Sequence, residues 1–443
     1  MWLKYLCFSC ALLLLTAPLA QAALQRASLP NGVQVLVEED HSSPVAMVQV
    51  WLKVGGRDEQ PGKTGLAHVF EHMMFKGSTA LEPGEYSKII SAIGGSDNAF
   101  TSHDYTAYFE TVPATAVSQV IKMEAERFAH LKLDKAEFER EIQVIMEERR
   151  MRTEDDPNAR MFEELSAASL RLHPYRLPVI GWMQDLEALT IEDVKAFYQQ
   201  HYVPNNVTVV VVGDVDFKAV VQVVKHSFGK LKSVKVLPRF NPIEPEPLGA
   251  KRVQVHLPAQ LPLVAITLPV PSWIPQHNDQ EVAALALATE MLAGGKSAVL
   301  HQVLVNDKRA AASTGAGYDP FTMGLDLWYA YATLAKGQQV ADFEAEFWQV
   351  LQDMGQHPAN ARLFEAAKRR LIANAVFAQD SLYLRAKHIG MLETVGIGAE
   401  NKDIWLDLIR QVSMDEVQHV VQKWLIPMRA TTGILMPKTA VGG

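Results

Sequence analysis

The amino-acid sequence predicts an α+β fold made of two homologous halves. Three observations carry this expectation. Strand-like and helix-like apolar periods succeed one another along the chain. A proline-rich stretch without periodicity, residues 237–248 (LPRFNPIEPEPL), interrupts that succession near the middle. The pattern then restarts. Thr190-Ile191-Glu192-Asp193-Val194 matches Ser413-Met414-Asp415-Glu416-Val417 at an offset of 223 residues, and Pro44-Val45-Ala46 resembles Leu263-Val264-Ala265 at an offset of 219.

The elements follow in order. Residues 1–22 read as a secretory signal peptide, with Lys4 before an apolar run at 6–15 and a small-x-small cleavage site at Ala20-Gln21-Ala22. Cleavage there places the mature chain in the periplasm and removes Cys7 and Cys10, the only two cysteines. The mature chain then has no thiol for a disulfide scaffold, a thiolate metal site or a cysteine nucleophile. No later segment reaches the ~20 apolar residues of a membrane span. Pro30-Asn31-Gly32 is a turn signal between strand-like runs at 24–29 and 33–38, which predicts a hairpin. A further apolar run follows at 45–54, then helical periods at 64–75, 114–131 and 135–152. A β-branched strand at 207–212 ends at Gly213-Asp214, and its counterpart in the second half is 432–436. The predicted domains are 23–232 and 250–443, joined by a linker at 233–249.

Composition is that of a globular protein, 48% hydrophobic and 21% charged over 443 residues. A net charge of −8 gives no support to a nucleic-acid partner. Gly55-Gly56 and Gly294-Gly295 lack the lysine-serine context of a phosphate loop, and no G-x-S-x-G elbow is present.

The chemistry concentrates in His68-Val69-Phe70-Glu71-His72. Histidines at i and i+4 share a helix face about 6 Å apart, as two imidazoles on one metal require. Glu71 lies at the edge of that face, within reach of a metal-bound water. The flanking Leu66, Val69, Phe70, Met73, Met74 and Phe75 make the helix largely buried, and buried histidines need partners. A third ligand must come from another element. The best segment is 139–152, where Glu141 and Glu148 are seven apart on one face and Val144 and Ile145 between them are expected on the packed side.

These residues resemble the pitrilysin (insulinase) family of zinc peptidases, especially its short bacterial members related to the mitochondrial processing peptidase. The likeness covers essentially the whole mature chain. It rests on HxxEH followed, after 75 intervening residues, by Glu148 with Glu141 seven positions before it. The resemblance implies zinc held by His68, His72 and Glu148, with Glu147 the alternative if the register slips by one. It makes Glu71 the general base and Glu141 a supporting carboxylate of the catalytic site. The segment 94–102 (GGSDNAFTS) resembles an edge strand on which a peptide or unfolded polypeptide substrate adds, with Asn98 and Ala99 in contact. His103 is expected as a polar surface residue, and His173-Pro174-Tyr175 as a structural turn. Each half is implied to be a mostly antiparallel sheet with helices on one face, the two closing as a clamshell.

The second half lacks the metal donors. At offset 219, Leu287 and Met291 replace His68 and His72, Glu290 falls opposite Glu71, and the match to Glu148 falls near Asn374. Active relatives carry an Arg and a Tyr seven apart that reach the substrate from this half. Here those positions hold Val305 and Ala312, while Arg309 and Tyr318 are nine apart. The expected function is an exported zinc endopeptidase. Its missing pair is expected from a partner, either a paralogous zinc-less subunit or a second copy. The competing expectations are a non-catalytic or chaperone-like subunit, a kind of relative that tends to lose HxxEH and Glu148, and a zinc-delivery protein, which has no use for Glu71.

Overall fold

The computed structural model describes residues 23–234, 238–357 and 360–438. The expected signal segment, 1–22, lies outside the described residues. A first sheet contains β1 (Gln25–Ser28), β2 (Gln34–Glu39), β3 (Val45–Leu52), β4 (Ser96–Thr101), β5 (Thr106–Pro113) and β6 (Val207–Gly213). Their order is β1-β2-β6-β3-β5-β4, antiparallel throughout except for β2–β6. Around it lie α1 (Leu66–Met73), α2 (Glu85–Ala92), α3 (Val117–His130), α4 (Lys135–Arg149), α5 (Pro157–Ser169), α6 (Met183–Ala188), α7 (Ile191–His201) and α8 (Phe217–Ser227).

The second sheet contains β7 (Lys251–Leu257), β8 (Leu263–Pro271), β9 (Ala311–Gly317), β10 (Leu325–Leu334) and β11 (Thr431–Pro437). Its helices are α9 (Asp279–Ala293), α10 (Val340–Gln356), α11 (Ala361–Ala378), α12 (Leu382–Val395), α13 (Ile404–Gln411) and α14 (Met414–Trp424). The strand order is β7-β11-β8-β10-β9, again with one parallel pair, β7–β11. This repeats the arrangement β2-β6-β3-β5-β4. The sequence repeat recurs in the caps as well. Thr190 with Asp193 and Ser413 with Glu416 each close a capping box at the start of α7 and α14.

Helices of its own half cover one face of each sheet. In the first, Val35, Val48, Val50, Val209 and Val211 meet Phe70, Val120, Ile121 and Val194. The opposite face receives a helix from the other half. On the first sheet, α12 brings Ala386 and Ile389 against Leu36, Met47, Trp51, Val210 and Val212. On the second sheet, α5 brings Met161 and Leu165 against Leu263, Ala265 and Leu435. Cover on both faces explains why every residue of β6 is buried. Around the α12 contact, Arg26 grips Glu393 through two bonds of 2.8 and 2.6 Å, and Arg385 pairs with Glu38 and Asp40.

Three details depart from the sequence reading. The helix expected over 135–152 ends its α-helical course at Arg149 and widens into a π turn, Arg150–Glu154. Within α4, Ile145 is fully buried but Val144 is 52% exposed. At about 100° per residue, Val144 falls on the side of Glu141 away from Ile142 and Ile145. The proline-rich stretch is also pinned. The buried Arg57 guanidinium donates to the Phe240 carbonyl and Asn241 Oδ1, both at 2.8 Å, and Arg239 pairs with Asp58 at 2.6 Å.

Candidate metal centre

Local structure fixes α1 before any ligand is considered. Its N-cap Gly65 has φ of 90°, and a Cβ there would stand 2.7 Å from the Ile180 carbonyl oxygen, so glycine alone fits. The first-turn amides are capped from outside the helix by Glu59, which accepts from Gly65 N at 2.8 Å and Ala67 N at 2.7 Å. Phe70 packs against Tyr198 and Tyr202, with ring centroids 5.6 and 4.0 Å away. That contact locks the roll of the helix and turns His68 and His72 toward α4.

Ligand atoms of His68, His72 and Glu148 lie within 4.8 Å of one another, the one such group among the described residues. Glu148 Oε2 is 3.5 Å from His72 Nε2 and 3.8 Å from His68 Nε2. Two donors each about 2.1 Å from one zinc ion at a tetrahedral angle stand about 3.4 Å apart. The donor set, two imidazole nitrogens and one carboxylate oxygen, therefore fits zinc in both chemistry and spacing. Glu147 is exposed and pairs with Arg150 at 2.9 Å, away from this group.

The surrounding groups prepare the donors. His72 Nδ1 is 2.8 Å from Glu141, whose other oxygen takes Lys76 Nζ at 2.6 Å. With Nδ1–H donating to the carboxylate, the Nε2 lone pair faces the site. Burial raises the Glu141 carboxyl, but bonds from His72 and Lys76 outweigh it and hold the group below its usual range. Burial pushes His68 down to about 3, with His72 and Arg152 adding to the effect, so the ring is neutral at pH 7. Glu148 Oε1 is held by Arg152 at 2.8 Å, which leaves Oε2 toward the histidines.

Glu71 stands beside this group and outside it. Its carboxylate accepts the Thr101 hydroxyl of β4. Burial raises its pKa, the nearby Glu148 charge adds, and Thr101, His72 and Arg152 pull the other way without cancelling the rise. β4 is an edge strand, as the resemblance implies. Asn98 is exposed on it, and its side-chain oxygen accepts the Ala99 amide at 2.8 Å.

Other expectations need correction or completion. His103 is not a surface residue: it is half-buried, with Nε2 2.8 Å from the Leu177 carbonyl. The partner lies 74 positions away on a loop, beyond the reach of any local pattern. His173-Pro174-Tyr175 does make a turn, a 3₁₀ segment over Pro174–Arg176. Sequence reasoning misses Thr101, Lys76 and Arg152. For the last two a signal exists, since each stands four residues after a ligand on a helical course. In the second half Leu287 and Met291 are fully buried, Glu290 is taken by Arg370 at 2.6 Å, and Asn374 is exposed. Val305 is half-buried, Ala312 is exposed on β9, and the Tyr318 hydroxyl donates to the Pro271 carbonyl at 2.6 Å.

Comparison with known proteins agrees with this picture. Residues 34–181 match the family described as Insulinase (Peptidase family M16), and residues 188–371 match Peptidase M16 inactive domain. The chain is 37% identical over 289 residues to the zinc protease PqqE of Helicobacter pylori, spanning 64% of each protein's length. It is 30% identical over 309 residues to an uncharacterized zinc protease of Mycobacterium leprae, across 68% of this chain and 67% of that one. Among solved structures, a protease from Helicobacter pylori superposes with a TM-score of 0.88 at 28% identity, covering 94% of this chain and 100% of that one. Two adjoining family matches, these relatives and the shared fold together place the chain in peptidase family M16, the insulinase family.

Proposed function

We propose that this protein is an exported zinc-dependent endopeptidase acting on peptides or unfolded polypeptides. The carrying observation is the meeting of His68, His72 and Glu148 around one point with Glu71 alongside, hydrogen-bonded but outside the donor set. A zinc ion held there supplies Lewis acidity, polarising a carbonyl and lowering the pKa of a water toward ~7. Glu71 takes the proton of the attacking water and passes it to the leaving amine, a task that its raised pKa suits. Glu141 and Lys76 keep His72 in the tautomer that ligation needs. Asn98 and Ala99 receive the substrate as an added strand along β4.

Residues 1–22 are read as the export signal and the periplasm as the destination. No helix among the described residues is long and apolar enough to cross a membrane. The second half offers no side-chain hydrogen-bond donor at Val305 or Ala312, and loss of such a donor costs ~3 kcal/mol of transition-state stabilisation. The reading therefore includes a partner that supplies an Arg/Tyr pair, either a paralogous zinc-less subunit or a second copy. The same gap is what favours the competing reading, a non-catalytic subunit.

Two variants separate the readings. Glu71→Gln is expected to keep its zinc and lose peptide hydrolysis by about 10²–10⁴-fold, whereas His72→Ala is expected to lose the metal itself. Metal content and hydrolysis are measured on the mature chain with and without proteins captured from its native compartment. Unimpaired cleavage by zinc-loaded Glu71→Gln would overturn the mechanism.

A further inference from the structure

Side chains along β4 alternate between two faces. Thr101 bonds to Glu71, and Asp97 accepts the Ser87 hydroxyl of α2 at 2.6 Å, so Asp97, Ala99 and Thr101 face the helices of the zinc-bearing half. Asn98 and Phe100 face the other way, toward α12. On that side Phe100 and Phe109 have ring centroids 5.7 Å apart, and Phe109 meets Tyr383 of α12 at 5.0 Å. The Lys387 ammonium of α12 stands 5.2 Å from the Phe100 ring centre and 6.0 Å from that of Tyr383. All four side chains are half-buried.

The charge state of this patch is unusual for its surroundings. Neighbouring cations are paired, Arg385 with Glu38 and Asp40, and Lys402 with Glu38 and Asp403. Among the described residues no carboxylate lies within ion-pair distance of Lys387. Asp319 is the carboxylate that feels its charge, and one oxygen of Asp319 already accepts the Phe321 amide at 2.9 Å. An ammonium without an ion-pair partner among the described residues thus rests on an aromatic floor beside an open strand edge. Phe100, the ring beneath it, lies one residue along β4 from Thr101, whose hydroxyl donates to Glu71.

We propose that Phe100, Phe109, Tyr383 and Lys387 form a substrate subsite that selects an aspartate or glutamate side chain next to the scissile bond. The proposal rests on the peptidase reading above and names a substrate class for it. A strand added to β4 brings the Cβ of the residue opposite Phe100 to about 4.5–5.5 Å, on the same face. From there an acidic side chain lays its methylenes on the rings and its carboxylate against the ammonium. A lysine in that place meets like charge. The net charge of −8 works against acidic peptides over the rest of the surface, so any preference for them must be local.

The test uses two blocked decapeptides, one alternating serine with glutamate and one alternating serine with lysine. Their binding is titrated against the zinc-loaded full chain carrying Glu71→Gln. The glutamate peptide is expected to bind about tenfold tighter. Adding Lys387→Glu is expected to reverse the order, and adding Lys387→Met to erase the difference. Equal binding in the parent, or a preference unchanged by Lys387→Glu, overturns the subsite. In parallel, the Glu71 chain, together with the proteins captured from its native compartment, is assayed for cleavage of a serine–glutamine peptide. Selective binding without any hydrolysis counts against the peptidase reading alone, and hydrolysis without selectivity counts against the subsite alone.

Discussion

At His173 the imidazole has no exposed surface, its Nδ1 faces the Tyr175 amide at 3.4 Å and its Nε2 is buried without a hydrogen-bond partner. Burial, with the nearby Arg57 charge, pushes its pKa down to about 4. The unfolded chain has the ordinary value near 6.5, so it takes up the proton first as pH falls. The stability associated with the neutral ring is complete above pH 6.5, is lost as pH falls through 4, and then levels off. Its size is about 3 kcal/mol. His173→Gln is therefore expected to show a smaller drop in melting temperature between pH 7 and 4.5 than the parent, measured by calorimetry. Equal drops would mean that His173 does not carry the acid response. The contrast with His68 and His72 shows where residues are legible. Two ligands one helical turn apart are visible as spacing, because the helix itself brings them together. His103, His173 and Thr101 take their meaning from loops and strands that only tertiary packing brings near.

The two exchanged helices make a point about elements. Within α12, Gly390 lies against the indole of Trp51, and a Cβ there would collide with it. Trp51 is fully buried and its ring nitrogen is bonded to Gln49 at 2.8 Å, so it has nowhere to move. In an open helix alanine is favoured over glycine by about 1 kcal/mol. Overpacking costs about 1–3 kcal/mol, and here it wins. Gly390→Ala is expected to be destabilised in urea titration; a gain in stability would place α12 elsewhere. The strands at 33–38, 45–54 and 207–212 and the helical periods at 64–75, 114–131 and 135–152 were legible in period and composition, but the cover on both faces of the run at 207–212 was not. Which helix supplies that cover was not readable. Periodicity reveals that a helix has an apolar face but not whose sheet it meets.

At the scale of the whole molecule, the exchange makes each half depend on the other. Residues 23–234 alone would leave Leu36, Met47, Trp51, Val210 and Val212 facing water, a patch of core without its lid. This fragment is expected to be poorly soluble and without near-UV circular dichroism, and to recover both when produced together with residues 238–443. A fragment that folds cooperatively alone would contradict the dependence. Synthesis adds a further consequence. A chain emerging N-terminus first delivers every candidate metal donor by residue 148, yet the helix that seals the outer face of the first sheet ends only at Val395. Through that interval the nascent chain carries an open apolar surface, the condition in which chaperones bind and proteases cut. The half that carries the candidate metal donors is the first to be made, yet it is covered only after most of the second half has followed it.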